Sequence, residues 1–158
     1  EAFIRLFGEE QNIRSILLGH TEEERDPLCQ KTLDAIEKHP NIEAVGYQSD
    51  VRPWLMVSNV SILASYREGF PNVVIEAGAM GIPQIVTDIN GANEIIIEGK
   101  NGTIIPSHNV DALYDAMKRM LSKEYRESLA INAREMVASR YDQHYVRQCL
   151  YEFYDSIL

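Results

Sequence analysis

VSILASYREGFPNVVIEAGAMGIPQIVT, residues Val60–Thr87, reads as a strand, a loop, a helix and a second strand. Val60 to Ala64 is a short apolar run of strand length. Gly69 and Pro71 punctuate the Ser65–Pro71 loop. A helix is expected from about Asn72 to Met80, ended by Gly81 and Pro83, and Gln84 to Thr87 is the next strand. Two strands joined through a helix read as a parallel pair, whose connection is a crossover of this kind.

The same alternation runs outward. Ser15–Leu18, ending in the Gly19 turn, and Ile42–Val45, ending at Gly46, are expected strands, as is Thr103–Ile105. Helices are expected over residues 22–38 with a face of Leu28, Leu33 and Ile36, over Val51–Val57, and over Ala92–Ile97. Three further helical faces follow. They are Val110, Leu113, Met117 and Met120; Tyr125, Leu129, Met136 and Val137; and Val146, Cys149, Leu150, Phe153 and Ile157. Near-continuous apolar strands alternating with helices imply an α/β, Rossmann-like parallel sheet with helices on both faces. Ligands in such sheets sit beyond the carboxyl ends of the strands. Ser65–Asn72 is such a place.

Composition narrows the function. The 158 residues suit a single domain. A net charge of −9 argues against a nucleic-acid surface, which needs clustered Lys and Arg, and against an anionic membrane. Cys29 and Cys149 lie far apart without metal-ligand spacing, which suits a reducing, cytoplasmic compartment. No apolar run reaches the ~18 residues of a membrane span. The chain opens on Glu1 inside an apolar pattern (Ala2, Phe3, Leu6, Phe7) that reads as mid-helix, so residues 1–158 are expected to be one domain of a longer protein.

The loop at Ser65–Asn72 has the chemistry of an anion site. Pro71 fixes its own φ and holds Phe70 extended, and Asn72 is the expected N-cap. The first turn of the following helix offers free N–H groups at the positive end of a dipole, which suits phosphate without a lysine. Gly69 lets the backbone approach a ligand closely. Glu68 precedes the helix and Glu76 lies one turn inside it. Carboxylates are poor phosphate ligands but good acceptors for sugar hydroxyls.

Ser65-Tyr66-Arg67-Glu68-Gly69-Phe70-Pro71-Asn72-Val73-Val74-Ile75-Glu76-Ala77-Gly78-Ala79-Met80-Gly81-Ile82-Pro83 resembles the E-x7-E signature of retaining GT-B-fold glycosyltransferases, specifically group 1, or family 4. The resemblance continues through Thr87–Glu94, Gly99–Gly102 and Ile105-Pro106, with Gly19 and Val45-Gly46 at earlier family turns. It implies the C-terminal, donor-binding half of a two-domain enzyme. The full-length protein would move a hexosyl unit from a nucleotide sugar, expected to be UDP-linked, to a saccharide or lipid-linked acceptor, as in bacterial surface polysaccharide assembly. No metal is expected.

By that resemblance Glu68 contacts the donor sugar and is the catalytic candidate, and Glu76 holds the ribose. The backbone of Gly69, Phe70, Pro71, Asn72 and Val73 holds sugar and phosphate, while Arg67, Gly19 and Tyr47 are further donor-site candidates. The family's first strand of this domain, with its diphosphate-binding Arg and Lys, and its N-terminal partner domain are expected outside this chain; any membrane association would lie there too, and the fragment alone is expected to be inactive. Ala64 stands where the family often has Pro, Asn90 replaces one Gly of a Gly-Gly pair, and Thr21 replaces the second Gly of a G-x-G turn, which weakens the case for Gly19.

Plainer readings stand beside these. Glu76 as a structural acid, Glu68 as a solvated loop residue and Arg67 as a rim charge are all open. Glu94 reads as a capping acid. His20 is a possible cleft residue, and His39, His108 and His144 fall on turns and termini. Glu22-Glu23-Glu24 reads as a solvated helix start, and Tyr145, Tyr151 and Tyr154 as helix packing. No D-x-D occurs, which agrees with a metal-free site, and no G-x-S-x-G, P-loop or strand-linked G-x-G-x-x-G occurs, which sets aside the hydrolase, NTPase and dinucleotide readings. Two alternatives remain: a nucleotide-sugar epimerase of the same architecture, and a non-catalytic sugar-nucleotide-binding or scaffold domain.

Overall fold

A computed structural model describes residues 1–21 and 27–157. Five strands alternate with helices: β1 (Ser15–Leu18), β2 (Ile42–Gly46), β3 (Ser61–Leu63), β4 (Gln84–Thr87) and β5 (Gly102–Ile105). The helices are α1 (Ala2–Phe7), α2 (Gln30–Lys38), α3 (Arg52–Val57), α4 (Asn72–Ala79), α5 (Ala92–Ile95), α6 (Val110–Arg119), α7 (Lys123–Tyr141) and α8 (Gln143–Ile157). All strand pairs are parallel.

The strands form two sheets, β1-β2 and β3-β4-β5, rather than one continuous sheet. In the first, Ser15 pairs with Ile42, and a bulge shifts the register between Leu17 and Leu18. In the second, Ile85 pairs with both Ile62 and Thr103. Among the described residues β2 and β3 are not hydrogen-bonded to each other.

The core centres on β4, whose four residues are all buried. Its side chains alternate between two faces. Val86 packs with Val74, Ala92, Ile95 and Ile96. Ile85 packs with Ile105, Ala116, Met120 and Leu129 on the other. Gln84 is buried too, and its Nε2 donates to the Val74 carbonyl at 2.8 Å. A side chain at Gly78 would place its Cβ 2.6 Å from Val137 Cγ2, so α4 and α7 pack at a separation only glycine allows.

Several boundaries differ from the sequence reading. α2 begins at Gln30 rather than at residue 22, and Leu28 lies outside it, exposed. The Glu22–Glu24 helix start falls outside the described residues. Pro71, not Asn72, occupies the N-cap of α4. The proline's extended φ and ψ (−76° and 104°) already meet the cap geometry, which makes Asn72 the first helical residue. α8 buries none of its residues, so the Val146–Ile157 face and Tyr145, Tyr151 and Tyr154 are exposed instead of packed. No helix among the described residues is long and apolar enough to cross a membrane.

Candidate functional site

The site is built where β3 and β4 end. The loop after β3 is tied to β4 by Thr87, whose hydroxyl donates to the Ser65 carbonyl. Ser65 folds the next turn: its Oγ accepts from the Arg67 N–H at 3.3 Å and donates to the Arg67 carbonyl at 3.1 Å. On the far side lies Gly91, with φ +80°. A Cβ there would sit 2.3 Å from the Gly69 carbonyl oxygen, so the Asn90-Gly91 turn is pressed against the loop backbone. Phe70 packs edge-on against Tyr141 of α7 at 5.6 Å, and Tyr66 stacks on His108 at 5.0 Å.

This scaffold delivers the chain to α4 with its N-terminus open. Asn109 caps α6 and Ser122 caps α7, but no side chain caps α4. Val74 N–H returns to the Pro71 carbonyl at 3.1 Å. The amides of Asn72 and Val73 have no acceptor among the described residues. Asn72, Val73 and Glu76 are exposed together, since residues three and four apart share a helix face, while Val74, Ala77 and Gly78 turn to the core. Glu76 is therefore not enclosed by its apolar neighbours in sequence. Glu68 is half-buried in the loop before the helix. Neither carboxylate has a hydrogen-bond or ion-pair partner among the described residues. Free backbone donors, a helix dipole and two carboxylates, all supplied by Glu68–Glu76, can hold a diphosphate and accept from sugar hydroxyls.

Gly69, Phe70 and Arg67 lie in the same loop, all exposed. Gly19 and Tyr47 are elsewhere, at the carboxyl ends of β1 and β2. Gly19 has φ +118° and donates its N–H to the Gly46 carbonyl at 2.9 Å. Tyr47, 66% exposed, stacks parallel on His20 with centroids 5.5 Å apart. Gly19 and His20 line an open cavity of about 350 Å³ with Leu17, Leu18 and Ala44. These residues belong to the other sheet, and the hydrogen bond of Gly19 and the ring stack of Tyr47 stay within its strand ends.

Glu94 is a cap: its Oε1 accepts from the Gly91 N–H at 3.3 Å, which fixes the turn that bears on Gly69. Thr87, His108 and Tyr141 support the loop through contacts that no local sequence pattern signals. Their partners lie 22, 42 and 71 positions away. Among the described residues no group of three or more His, Cys, Asp or Glu side chains is placed to hold a metal ion.

Comparison with known proteins decides the family. The model for "Glycosyl transferases group 1" matches residues 1–123. The chain belongs to the group 1 glycosyl transferases. Over the whole chain this group 1 glycosyl transferase domain is 24% identical to the capsular polysaccharide biosynthesis glycosyltransferase CapM of Staphylococcus aureus, of which it spans 42%. Over 90% of the chain it is 31% identical to the Campylobacter jejuni N,N'-diacetylbacillosaminyl-diphospho-undecaprenol alpha-1,3-N-acetylgalactosaminyltransferase, spanning 37% of that protein. Its fold matches Anabaena Alr3699/HepE, solved in complex with UDP-glucose, with a TM-score of 0.85 and 19% identity over 98% of this chain and 44% of the other. The group 1 domain thus spans about two fifths of the length of these relatives.

Proposed function

We propose that this domain binds the donor in a retaining, two-domain glycosyltransferase that moves a hexosyl unit from a UDP-sugar to a saccharide or lipid-linked acceptor. The observation that carries the reading is the uncapped N-terminus of α4, flanked by Glu68 and Glu76 at the carboxyl ends of β3 and β4. The amides of Asn72 and Val73 and the helix dipole stabilise the distal phosphate as negative charge grows on it during departure, the largest single term in many such reactions. Glu68 accepts from hydroxyls of the transferring sugar, and Glu76 from the ribose. The family membership supports the transfer chemistry. The named acceptor chemistry of the Campylobacter relative supports a lipid-linked saccharide as the acceptor class.

The partner domain, which holds the acceptor, lies in the part of the enzyme beyond this chain. The test is calorimetry with UDP and GDP on the full-length protein, with transfer from UDP-sugars followed by NMR of the product's anomeric proton. UDP binding and a retained anomeric configuration are expected. Absence of binding to either nucleotide, or an inverted product, overturns the reading.

A further inference from the structure

We infer that His108 is a positioning residue for the Ser65–Gly69 loop, its imidazole stacked on Tyr66 to clamp the loop from the segment that follows β5. The inference rests on the donor-binding reading of that loop. Two independent observations carry it. The rings of Tyr66 and His108 lie 5.0 Å apart, inclined by 24°, an offset stack that joins the residue two before Glu68 to the connection between β5 and α6. His108 is also the one non-glycine residue with positive φ among the described residues, at 55°. Left-handed backbone on a residue with a Cβ is uncommon, though His adopts it more readily than most, and such residues cluster at active sites and ligand clamps. Here the strained turn between β5 and α6 is what carries the ring to Tyr66.

The remaining sides of the loop are held by other elements. Thr87 grips the Ser65 carbonyl, Gly91 abuts the Gly69 carbonyl, and Tyr141 packs on Phe70. Arg67 and Glu68 lie between these supports. The His108–Tyr66 stack supplies the contact next to them. A loop ordered before the donor arrives does not have to be ordered by it, so the stack strengthens binding without touching the donor.

The experiment follows amide exchange of residues 65–70 in the full-length protein without ligand, then calorimetric affinity for UDP. His108→Asn removes the ring while tolerating the left-handed backbone, His108→Phe keeps a ring, and Tyr66→Ala removes the partner. His108→Asn and Tyr66→Ala should each speed exchange in residues 65–70 by about two- to tenfold, the range for an aromatic pair, with residues 84–87 unchanged. UDP affinity should fall by a similar factor. The double variant should be no worse than either single, and His108→Phe should restore both readouts. Unchanged exchange, additive effects in the double variant, or no rescue by Phe overturns the clamp. If the loop loosens but UDP affinity holds while Glu76→Gln weakens it, the clamp falls and the donor-site reading stands. If neither His108→Asn nor Glu76→Gln alters UDP affinity, the donor-site reading falls.

Discussion

Glu76 stands on the exposed side of α4 one turn beyond the open amides of Asn72 and Val73, whereas Glu68 is half-buried in the loop that precedes them. A residue on the ribose makes the same contact in the ground and transition states, so Glu76→Gln should mainly raise donor KM. A residue on the transferring sugar meets positive character that develops only as the bond breaks. Glu68→Gln should therefore lower kcat by an order of magnitude or more, at ~1.4 kcal/mol per tenfold. Steady-state kinetics of the full-length enzyme with thermal melts separates the two effects. If Glu76→Gln lowers the melting temperature and leaves donor KM alone, Glu76 is structural. Gly91 gives a third expectation. Its φ of +80° and the 2.3 Å approach of a Cβ to the Gly69 oxygen leave no room for a side chain. Gly91→Ala should push the loop outward and weaken UDP binding tenfold or more while the β4 core stays folded, as calorimetry and far-UV circular dichroism would report.

At the scale of elements, α1 is too short to persist alone and is held by what it touches. Ala2 and Leu6 are buried against Tyr114 of α6. Around them, Arg5 reaches Asp111 at 2.6 Å, Lys118 reaches Glu9 at 2.6 Å, and the Tyr114 hydroxyl donates to Glu9. The hydrogen bond from Lys118, then that from Tyr114, holds the Glu9 carboxyl below its ordinary range. Folding lowers this pKa, so the contribution is complete above the unfolded value and is lost as pH falls through the folded one. Amide exchange in residues 3–8 should accelerate below that range, and Glu9→Gln should flatten the dependence. An unchanged acid response in Glu9→Gln would place the cause elsewhere. The pair is solvent-exposed, so its effect should also shrink with salt.

At the scale of the whole molecule, both sheets have open strand edges among the described residues. β1 bonds only to β2, and β3 only to β4, among the described residues. Apolar side chains on these strands are left in water: Leu17 is 38% exposed, Leu18 42% and Ile62 42%, against 0% for Ile85 on β4. Open apolar edges template pairing with another chain. The 158-residue chain alone should self-associate in the high-micromolar range, and a charge at the β3 edge, Ile62→Lys, should shift it towards monomer. Sedimentation velocity across concentration measures this. A monodisperse monomer throughout would mean that these edges are protected. α8 adds a second uncovered surface, with Leu150, Phe153 and Ile157 all exposed.

By itself the sequence determined the five strands, the helices α3 to α7 to within a few residues, and the loop that carries Glu68. Those features are local: apolar runs, turn residues and a proline set them within a few positions, and the Ser65–Pro83 motif is long enough to identify its family. The start of α2 is not legible in the sequence, because Leu28 continues the apolar period without being helical. The exposure of α8 is not legible either, because an amphipathic pattern declares an apolar face but not a partner to bury it. The division into two sheets, the approach of Gly91 to Gly69 and the placement of His108, Thr87 and Tyr141 around one loop were decided by tertiary structure alone. Each depends on backbone or rings far apart in sequence meeting at a few ångströms, and no local periodicity encodes such a distance.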